Sequence, residues 1–310
     1  MLKRKYISAA ISLVISGAAL ADTVYVTVAD DDGAGTFRAA VMAANGDPAI
    51  DTIEFDGTLD VTLFSEVHYE GGQDLAIVGS GSTLTGDCPL ASTWDGGLFA
   101  SYSAASISLS DISFADSCNN GVGVFIPEDA SGEVAITLDN VSITGARFHG
   151  LYADGQDSTG VYNTDDVPHP DCDDPHPYDS KAGLVLYVMD SKVDGNGTVF
   201  PDGVNWVQPE PVDCDAAAEL ELTGCPYDFD GIRLDDGGQG GIAAFVMDSS
   251  ANGNLADGIE YDERDQGGVL SWAYGLVVAE NGDTTAHPIF DCDNDTVEDL
   301  DDGFDIDEED

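Results

Sequence analysis

The chain has 310 residues, with 60 Asp and Glu against 9 Lys and Arg and a formal net charge of −51. This balance excludes nucleic acid as a natural partner, because phosphate binding needs clustered Lys and Arg, and it argues against docking on anionic membranes. Since 43% of the residues are hydrophobic, the composition is not that of a disordered chain. The 36 glycines and the short strand-like runs favour a turn-rich β protein.

The first 21 residues have the three parts of a secretory signal peptide. The charged residues 3–5 precede a mostly apolar run over residues 7–20, and residues 19–21 read Ala-Leu-Ala, an A-x-A cleavage site. The apolar run is short for a membrane span. We therefore expect a mature chain that begins at Asp22, spans no membrane, and is extracellular, on the cell surface or periplasmic.

Residues 22–60 predict an N-terminal cap followed by a first strand. A short amphipathic helix is expected at about residues 37–45, because four apolar residues recur there on one helical face. These residues are Phe37, Ala40, Val41 and Ala44. Thr36 is a suitable N-cap and Gly46 a suitable stop. The helix would cover the open apolar end of a repeat fold.

A triplet of a small polar residue or His, then Gly, then an apolar residue recurs along the rest of the chain. Its copies are Asn120-Gly121-Val122, His149-Gly150-Leu151, Asp202-Gly203-Val204, Asp230-Gly231-Ile232, Asp257-Gly258-Ile259 and Asp302-Gly303-Phe304. Three of the five spacings fall between 27 and 29 residues, and each longer spacing contains a Pro- or Asp-rich stretch. We expect the His149 side chain to bond its own turn.

After each triplet, apolar and polar residues alternate, as in Ile232-Arg233-Leu234-Asp235, which is the pattern of a strand with one buried face. A unit of this size cannot bury its own apolar face, but stacked units can. The pattern therefore predicts an all-β solenoid of parallel strands over residues 61–310. Insertions are expected near residues 155–181, 207–229 and 284–301.

The N-terminal segment resembles the cap of secreted right-handed parallel β-helix proteins of the pectate-lyase-like superfamily. Those proteins typically open with a Gly-Thr-Leu-Arg-x-Ala-Ile helix, an Ala-Asn pair and an Asp-Thr-Ile-x-Phe strand. Here the corresponding residues are 35–41, 44–45 and 51–55, with Phe37 for Leu and Val41 for Ile. The resemblance implies a right-handed parallel β-helix with a short N-terminal capping helix. It does not choose a function, because the superfamily includes lyases, adhesins and proteins without known activity.

The cysteines and the last coil give two further expectations. An even number of cysteines in an exported chain suggests disulfides, and six of them allow fifteen connectivities. The preferred pairs are Cys88 with Cys118 and Cys214 with Cys225, which leaves Cys172 with Cys292 by exclusion. No capping element is predicted after the last coil, so its strand edge is expected to offer a surface for self-association.

Equivalent positions of successive coils in a parallel β-helix lie about 4.8 Å apart, so outward side chains form ladders. Aligning the triplets gives one ladder of Asp154, Asp235, Asp262 and Asp307 and another, two residues earlier, of Tyr152, Arg233, Glu260 and Asp305. A unit at Asp202, with Asn205 and Val207, is expected to interrupt both ladders. Carboxylates at this spacing repel by roughly 1 kcal/mol in water, which protonation, solvation or a bound cation would relieve. We predict Ca²⁺ ligands at Asp235, Asp262 and Asp307, with a solvated acidic face as the equal alternative.

Two insertions contain further metal candidates. Asp291, Asp293 and Asp295 begin a loop that is similar to an EF-hand calcium loop, although Thr296 replaces the usual turn Gly and Asp302 the bidentate Glu. The alternative is an acidic insertion that only solvates. In the insertion near residues 155–181, two His and several Asp would suit a transition metal, with a stiff surface loop as the alternative.

Three functions fit these residues. The favoured one is a non-catalytic secreted or cell-surface protein that binds Ca²⁺ and engages a glycan or a surface partner. The second is a polysaccharide lyase in which Arg233 or Arg264 acts as base while Asp235 and Asp262 hold Ca²⁺. The third is a glycoside hydrolase that pairs Asp235 or Asp236 with Asp262. The lyase is disfavoured because so acidic a chain would repel a polyuronate. Sugar-stacking faces would come from Tyr152, Tyr187, Trp206 and Trp272 if these side chains point outward.

Overall fold

The structure is a computed structural model that describes residues 22–88, 96–127, 130–155, 181–197, 229–236, 240–264, 267–281 and 303–309. Within these ranges the chain forms one α-helix, α1 (Phe37–Gly46), and twenty β-strands. The strands are β1 (Asp22–Val26), β2 (Ile50–Phe55), β3 (Asp60–Leu63), β4 (Val67–Tyr69), β5 (Leu75–Gly86), β6 (Phe99–Ser101), β7 (Ile107–Ala115), β8 (Val122–Phe125), β9 (Ser131–Asp139), β10 (Ser142–Thr144), β11 (Leu151–Asp154), β12 (Lys181–Met189), β13 (Lys192–Asp194), β14 (Ile232–Asp236), β15 (Ile242–Met247), β16 (Ser250–Asn252), β17 (Ile259–Arg264), β18 (Val269–Tyr274), β19 (Val277–Ala279) and β20 (Phe304–Glu309).

The described strands form two parallel sheets. The first contains thirteen strands and includes the path β18-β15-β12-β9-β7-β10-β13-β16-β19, and the second contains seven strands in the order β20-β17-β14-β11-β8-β6-β4. From β8 onward every third strand joins the second sheet. The prediction of a mostly β protein with parallel strands and one short helix is thereby confirmed.

The helix α1 covers one end of the strands as the sequence predicts. Thr36 has an extended backbone, and its hydroxyl oxygen accepts a hydrogen bond from the Ala39 N–H at 3.2 Å, which caps the helix. The four apolar residues of the predicted face are all buried. The Phe37 ring packs against the rings of Phe55 and Phe99, with centroids 5.7 and 6.2 Å away. The helix therefore seals the first strands of both sheets.

The core is built from the inward positions of the alternating strands. Leu151, Ile232 and Ile259 occupy one register position of the second sheet and are all buried, as is Val122 before them. In the first sheet the chain bends between the halves of β7 at Asp111, which has a φ of 49°. The later bends have positive φ at Asn140, Asp190 and Asp248. Asn and Asp tolerate this conformation better than most residues.

One predicted feature of the repeat is wrong. The sequence predicts a unit at Asp202 between the triplets that contain Gly150 and Gly231. In the structure β11 pairs directly with β14, with Leu151 opposite Ile232, so no strand lies between them. Asp202 itself lies outside the described residues. Nearly all of the three predicted insertions, and residues 1–21, lie outside the described residues.

The Cys88–Cys118 disulfide is present, which confirms that pair. Cys172, Cys214, Cys225 and Cys292 lie outside the described residues. Among the residues that the structure describes, no helix is both long enough and apolar enough to cross a membrane.

The last described strands lie at the ends of the two strand orders. β18 and β19 end the path of the first sheet, and β20 ends the order of the second. An open groove at this end is lined by Leu276, Val278, Phe304 and Ile306, together with small residues of β18. Self-association through this end stays a prediction.

Candidate metal centre

The structure stacks the predicted ladder residues. Successive strands β11, β14, β17 and β20 place Asp154, Asp235, Asp262 and Asp307 at one register position. Two residues earlier the same strands place Tyr152, Arg233, Glu260 and Asp305 opposite one another. The stacking predicted from the Gly triplets is therefore confirmed, and the unit expected at Asp202 does not interrupt it.

The glycines of the triplets bring neighbouring strands unusually close at the start of the ladder. A Cβ atom on Gly231 would lie 2.5 Å from the carbonyl oxygen of Gly258, and one on Gly150 would lie 2.6 Å from that of Gly231. Only glycine fits such an approach of backbone to backbone. The residues before these glycines are drawn together as well, and the Asp257 N–H donates a hydrogen bond to Oδ1 of Asp230 at 2.8 Å.

Arg233 lies flat among the carboxylates. Its Nε donates to Asp235 at 2.9 Å and its Nη1 donates to Glu260 at 2.7 Å, while Nη2 lies 3.7 Å from Oδ2 of Asp262. The side chain is 15% exposed. A guanidinium between two carboxylates is held in its charged form, so Arg233 acts here as a charge partner of the ladder. Its role as a base stays a prediction, and this pairing speaks against it.

The carboxylates around Arg233 are buried. Asp235 and Asp262 are 8% and 4% exposed, and Asp230, Asp257 and Glu260 are 0%, 8% and 7% exposed. Bulk water therefore does not separate these charges, and the alternative of a solvated acidic face does not apply to them. Several carboxylates share one guanidinium at this place, and a buried charge without compensation is costly.

Among the described residues, Asp230, Asp257 and Glu260 form an acidic group that could hold a metal ion. One carboxylate oxygen from each lies within 4.8 Å of the others. The sequence analysis does not identify this group as a candidate metal centre. It assigns Asp230 and Asp257 to turns and Glu260 to a ladder position. The available signal was that an Asp precedes Gly in both triplets, with Glu three residues after the second Asp.

The pKa of the Asp230 carboxyl group is lowered in this environment. Burial raises the pKa of its carboxyl group, but the interactions with His149, Arg233 and Glu260 outweigh burial, and the net direction is downward. The Nδ1 atom of His149 accepts a hydrogen bond from the backbone N–H of Asp230 at 3.0 Å. The expectation that His149 bonds its own turn is therefore wrong, since the side chain bonds the turn before the next strand of the sheet.

Tyr152 closes the ladder on the side of β11. Its hydroxyl donates a hydrogen bond to Oδ2 of Asp235 at 2.9 Å, and its ring stacks on His149 with centroids 5.0 Å apart. The Tyr152 side chain is therefore committed to the acidic group and does not offer a free sugar-stacking face.

The remaining predicted sites are only partly described. The backbone of Asp307 pairs with Asp262, whereas Asp291, Asp293 and Asp295 lie outside the described residues, as do the histidines near residues 155–181.

The sequence analysis does not identify a buried acidic pair at the end of β14 and β17, where Asp236 is opposite Glu263. Asp236 accepts a hydrogen bond from the Gly241 N–H at 2.7 Å, which gives it a structural role.

Tyr187 and Trp272 point outward from the first sheet. Tyr187, Phe245 and Trp272 share one register position on β12, β15 and β18. Tyr187 stacks on Phe245 at 5.3 Å, and Trp272, which is 50% exposed, stacks beside Tyr274 at 6.3 Å. The third outward-face candidate, Trp206, lies outside the described residues.

In comparisons with family models, curated proteins and solved structures, none matches this chain. The functional argument therefore depends on the geometry of the acidic group and of the aromatic stack.

Proposed function

We propose that the chain is an exported, non-catalytic right-handed parallel β-helix that binds Ca²⁺ and engages a glycan or a surface partner. Two features support the solenoid: all described strand pairs are parallel, and every third strand from β8 onward returns to the second sheet. The constant register of the Gly triplets supports it as well. The predicted signal peptide supports export.

The observation that carries Ca²⁺ binding is the burial of the carboxylates around Arg233. Among the described residues, four carboxylates lie within 3.7 Å of the Arg233 guanidinium, and all four are shielded from water. All the available donors are oxygens, which Ca²⁺ prefers. The donor set therefore suits Ca²⁺ better than a softer transition metal.

Two observations favour a binding protein over an enzyme. Arg233, the predicted base, is engaged by Asp235 and Glu260. The net charge of −51 would repel an anionic polyuronate substrate. A neutral glycan escapes this repulsion, and the outward Trp272 and Tyr274 rings offer it an apolar face.

The test is thermal unfolding of the mature chain with EDTA, and then with Ca²⁺ restored. A ligand at a hundred times its Kd stabilises a protein by about 2.7 kcal/mol, so Ca²⁺ is expected to raise the Tm clearly. Equal melting temperatures in EDTA and in Ca²⁺ would refute the proposed metal binding. Incubation with pectate, alginate and neutral glycans tests the rest: unsaturated products would indicate a lyase and new reducing ends a hydrolase, and either would overturn the non-catalytic assignment.

A further inference from the structure

We propose that Asp230, Asp257 and Glu260 form a buried Ca²⁺ site that joins two adjacent strands of the second sheet. The inference rests on the proposed Ca²⁺ binding and names the residues responsible. These residues differ from the ligands predicted from the sequence, which are Asp235, Asp262 and Asp307 in the ladder and Asp291, Asp293 and Asp295 in a separate loop.

The three carboxylates come from both strands. Asp230 precedes β14, Asp257 precedes β17, and Glu260 is the second residue of β17. The hydrogen bond from the Asp257 N–H to Oδ1 of Asp230 fixes the two turns against each other. An ion held by all three carboxylates therefore fastens one pass of the chain to the next.

A second observation points to a ligand, and it concerns Oδ2 of Asp230. This oxygen is buried in a residue with 0% exposure and has no hydrogen-bond partner. Its neighbours are Nδ1 of His149 at 3.3 Å and Nη1 of Arg233 at 3.6 Å. Nδ1 already accepts the Asp230 N–H, and Nη1 of Arg233 is beyond hydrogen-bond distance. A cation beside Oδ2 removes the cost of leaving this oxygen unsatisfied.

The oxygen spacing fits the size of Ca²⁺. Ca²⁺ binds oxygens at about 2.3–2.6 Å, so two ligands on opposite sides of the ion are about 4.6–5.2 Å apart. The three oxygens lie within 4.8 Å of one another, inside this span. Asp257 and Glu260 keep 8% and 7% exposure, which leaves one side where water completes the coordination. His149 is not a ligand, because its Nδ1 is engaged by the backbone.

Arg233 explains why the ion belongs here and not in the outer ladder. Its guanidinium bridges Asp235 and Glu260 and lies 3.7 Å from Asp262, so the outer ladder between β14 and β17 already holds a cation. Its separation from Oδ2 of Asp230 is 3.6 Å, which is beyond hydrogen-bond distance. Arg233 therefore leaves Oδ2 of Asp230 without a hydrogen bond.

The test measures Ca²⁺ binding to the full mature chain by calorimetry, with terbium luminescence as a second readout. Both are done in about 1 M NaCl, where the screening length falls to about 3 Å and diffuse binding to an acidic surface is suppressed. We expect Asp230→Asn and Glu260→Gln to weaken binding at least about tenfold, because each removes a charged ligand. Asp139→Asn is the matched control, since Asp139 is an exposed acid at the end of β9. It is expected to bind as the wild type does.

Each outcome decides the inference. If Asp230→Asn binds Ca²⁺ with wild-type affinity and Asp262→Asn loses Ca²⁺ binding, the ion lies in the outer ladder. This result overturns the inference but leaves the proposed Ca²⁺ binding of the chain intact. No binding to the wild type, together with a higher Tm of Asp230→Asn without metal, indicates a shared proton and overturns both proposals. If Asp230→Asn does not fold by circular dichroism, Glu260→Gln and Asp257→Asn provide the same comparison.

Discussion

Replacing Gly121 by alanine is expected to destabilise the fold by about 3 kcal/mol. The added Cβ would lie 2.7 Å from the carbonyl oxygen of Gly150 and would collide with Cγ2 of the fully buried Ile143. Ordinary contact requires a separation of 3.4 Å or more, so the neighbouring backbone must retreat by roughly 0.7 Å. Overpacking of this kind costs about 1–3 kcal/mol, and the Val122 N–H to Gly150 hydrogen bond at 2.9 Å would weaken by about 1 kcal/mol.

Urea unfolding followed by circular dichroism measures this cost. The matched control is Gly268→Ala, because a Cβ at the exposed Gly268 would have no atom within 4 Å and its φ is not positive. We expect the control to change the unfolding free energy by no more than about 0.5 kcal/mol. If Gly121→Ala unfolds at the same urea concentration as the control, close approach is not the reason for glycine in the triplets.

Two further predictions concern the N-terminal half. Glu66 accepts hydrogen bonds from Gly96 and Tyr102, and although burial raises its pKa, these bonds and His68 lower it below the usual 4.5. The charged Glu66 carboxylate therefore contributes fully to stability above about pH 4.5, and this contribution is lost as pH falls through the lowered pKa. The unfolding free energies of wild type and Glu66→Gln should differ most at neutral pH and converge in acid. A difference that stays constant with pH would contradict this reasoning. Removing the Cys88–Cys118 disulfide, whose cysteines are 30 residues apart, should cost about 3–4 kcal/mol in urea unfolding, and an unchanged midpoint after substitution of both cysteines would count against it.

The sequence predicts the register of the second sheet because that register depends on a local steric requirement. Glycine recurs where one backbone passes close to the next, so aligning the Gly triplets aligns the strands. The same local reasoning holds for the helix, whose N-cap Thr36 and buried face are visible in the sequence. For this reason the pairing of Asp235 with Asp262 could be predicted without coordinates.

The unit expected at Asp202 shows where this reasoning fails. A Gly triplet is also a common turn sequence, so a single copy inside an insertion cannot be distinguished from a true repeat. Only the direct pairing of β11 with β14 shows that this copy adds no strand between them. The expectation that His149 bonds its own turn is wrong for a related reason. Its partner is the N–H of Asp230, which is 81 residues later in the chain.

The proposed metal centre depends on burial, which the alternation of apolar and polar residues does not reveal. Alternation assigns Asp235 and Glu260 to the face opposite the core, and an outward acid is normally solvated. In the structure the same face is shielded from water around β14 and β17. Burial removes solvation as the response to repulsion and increases the cost of each unpaired charge. Arg233 relieves that cost at Asp235, with which it forms an ion pair. Oδ2 of Asp230 is buried without a hydrogen bond, so Asp230→Asn is the decisive substitution.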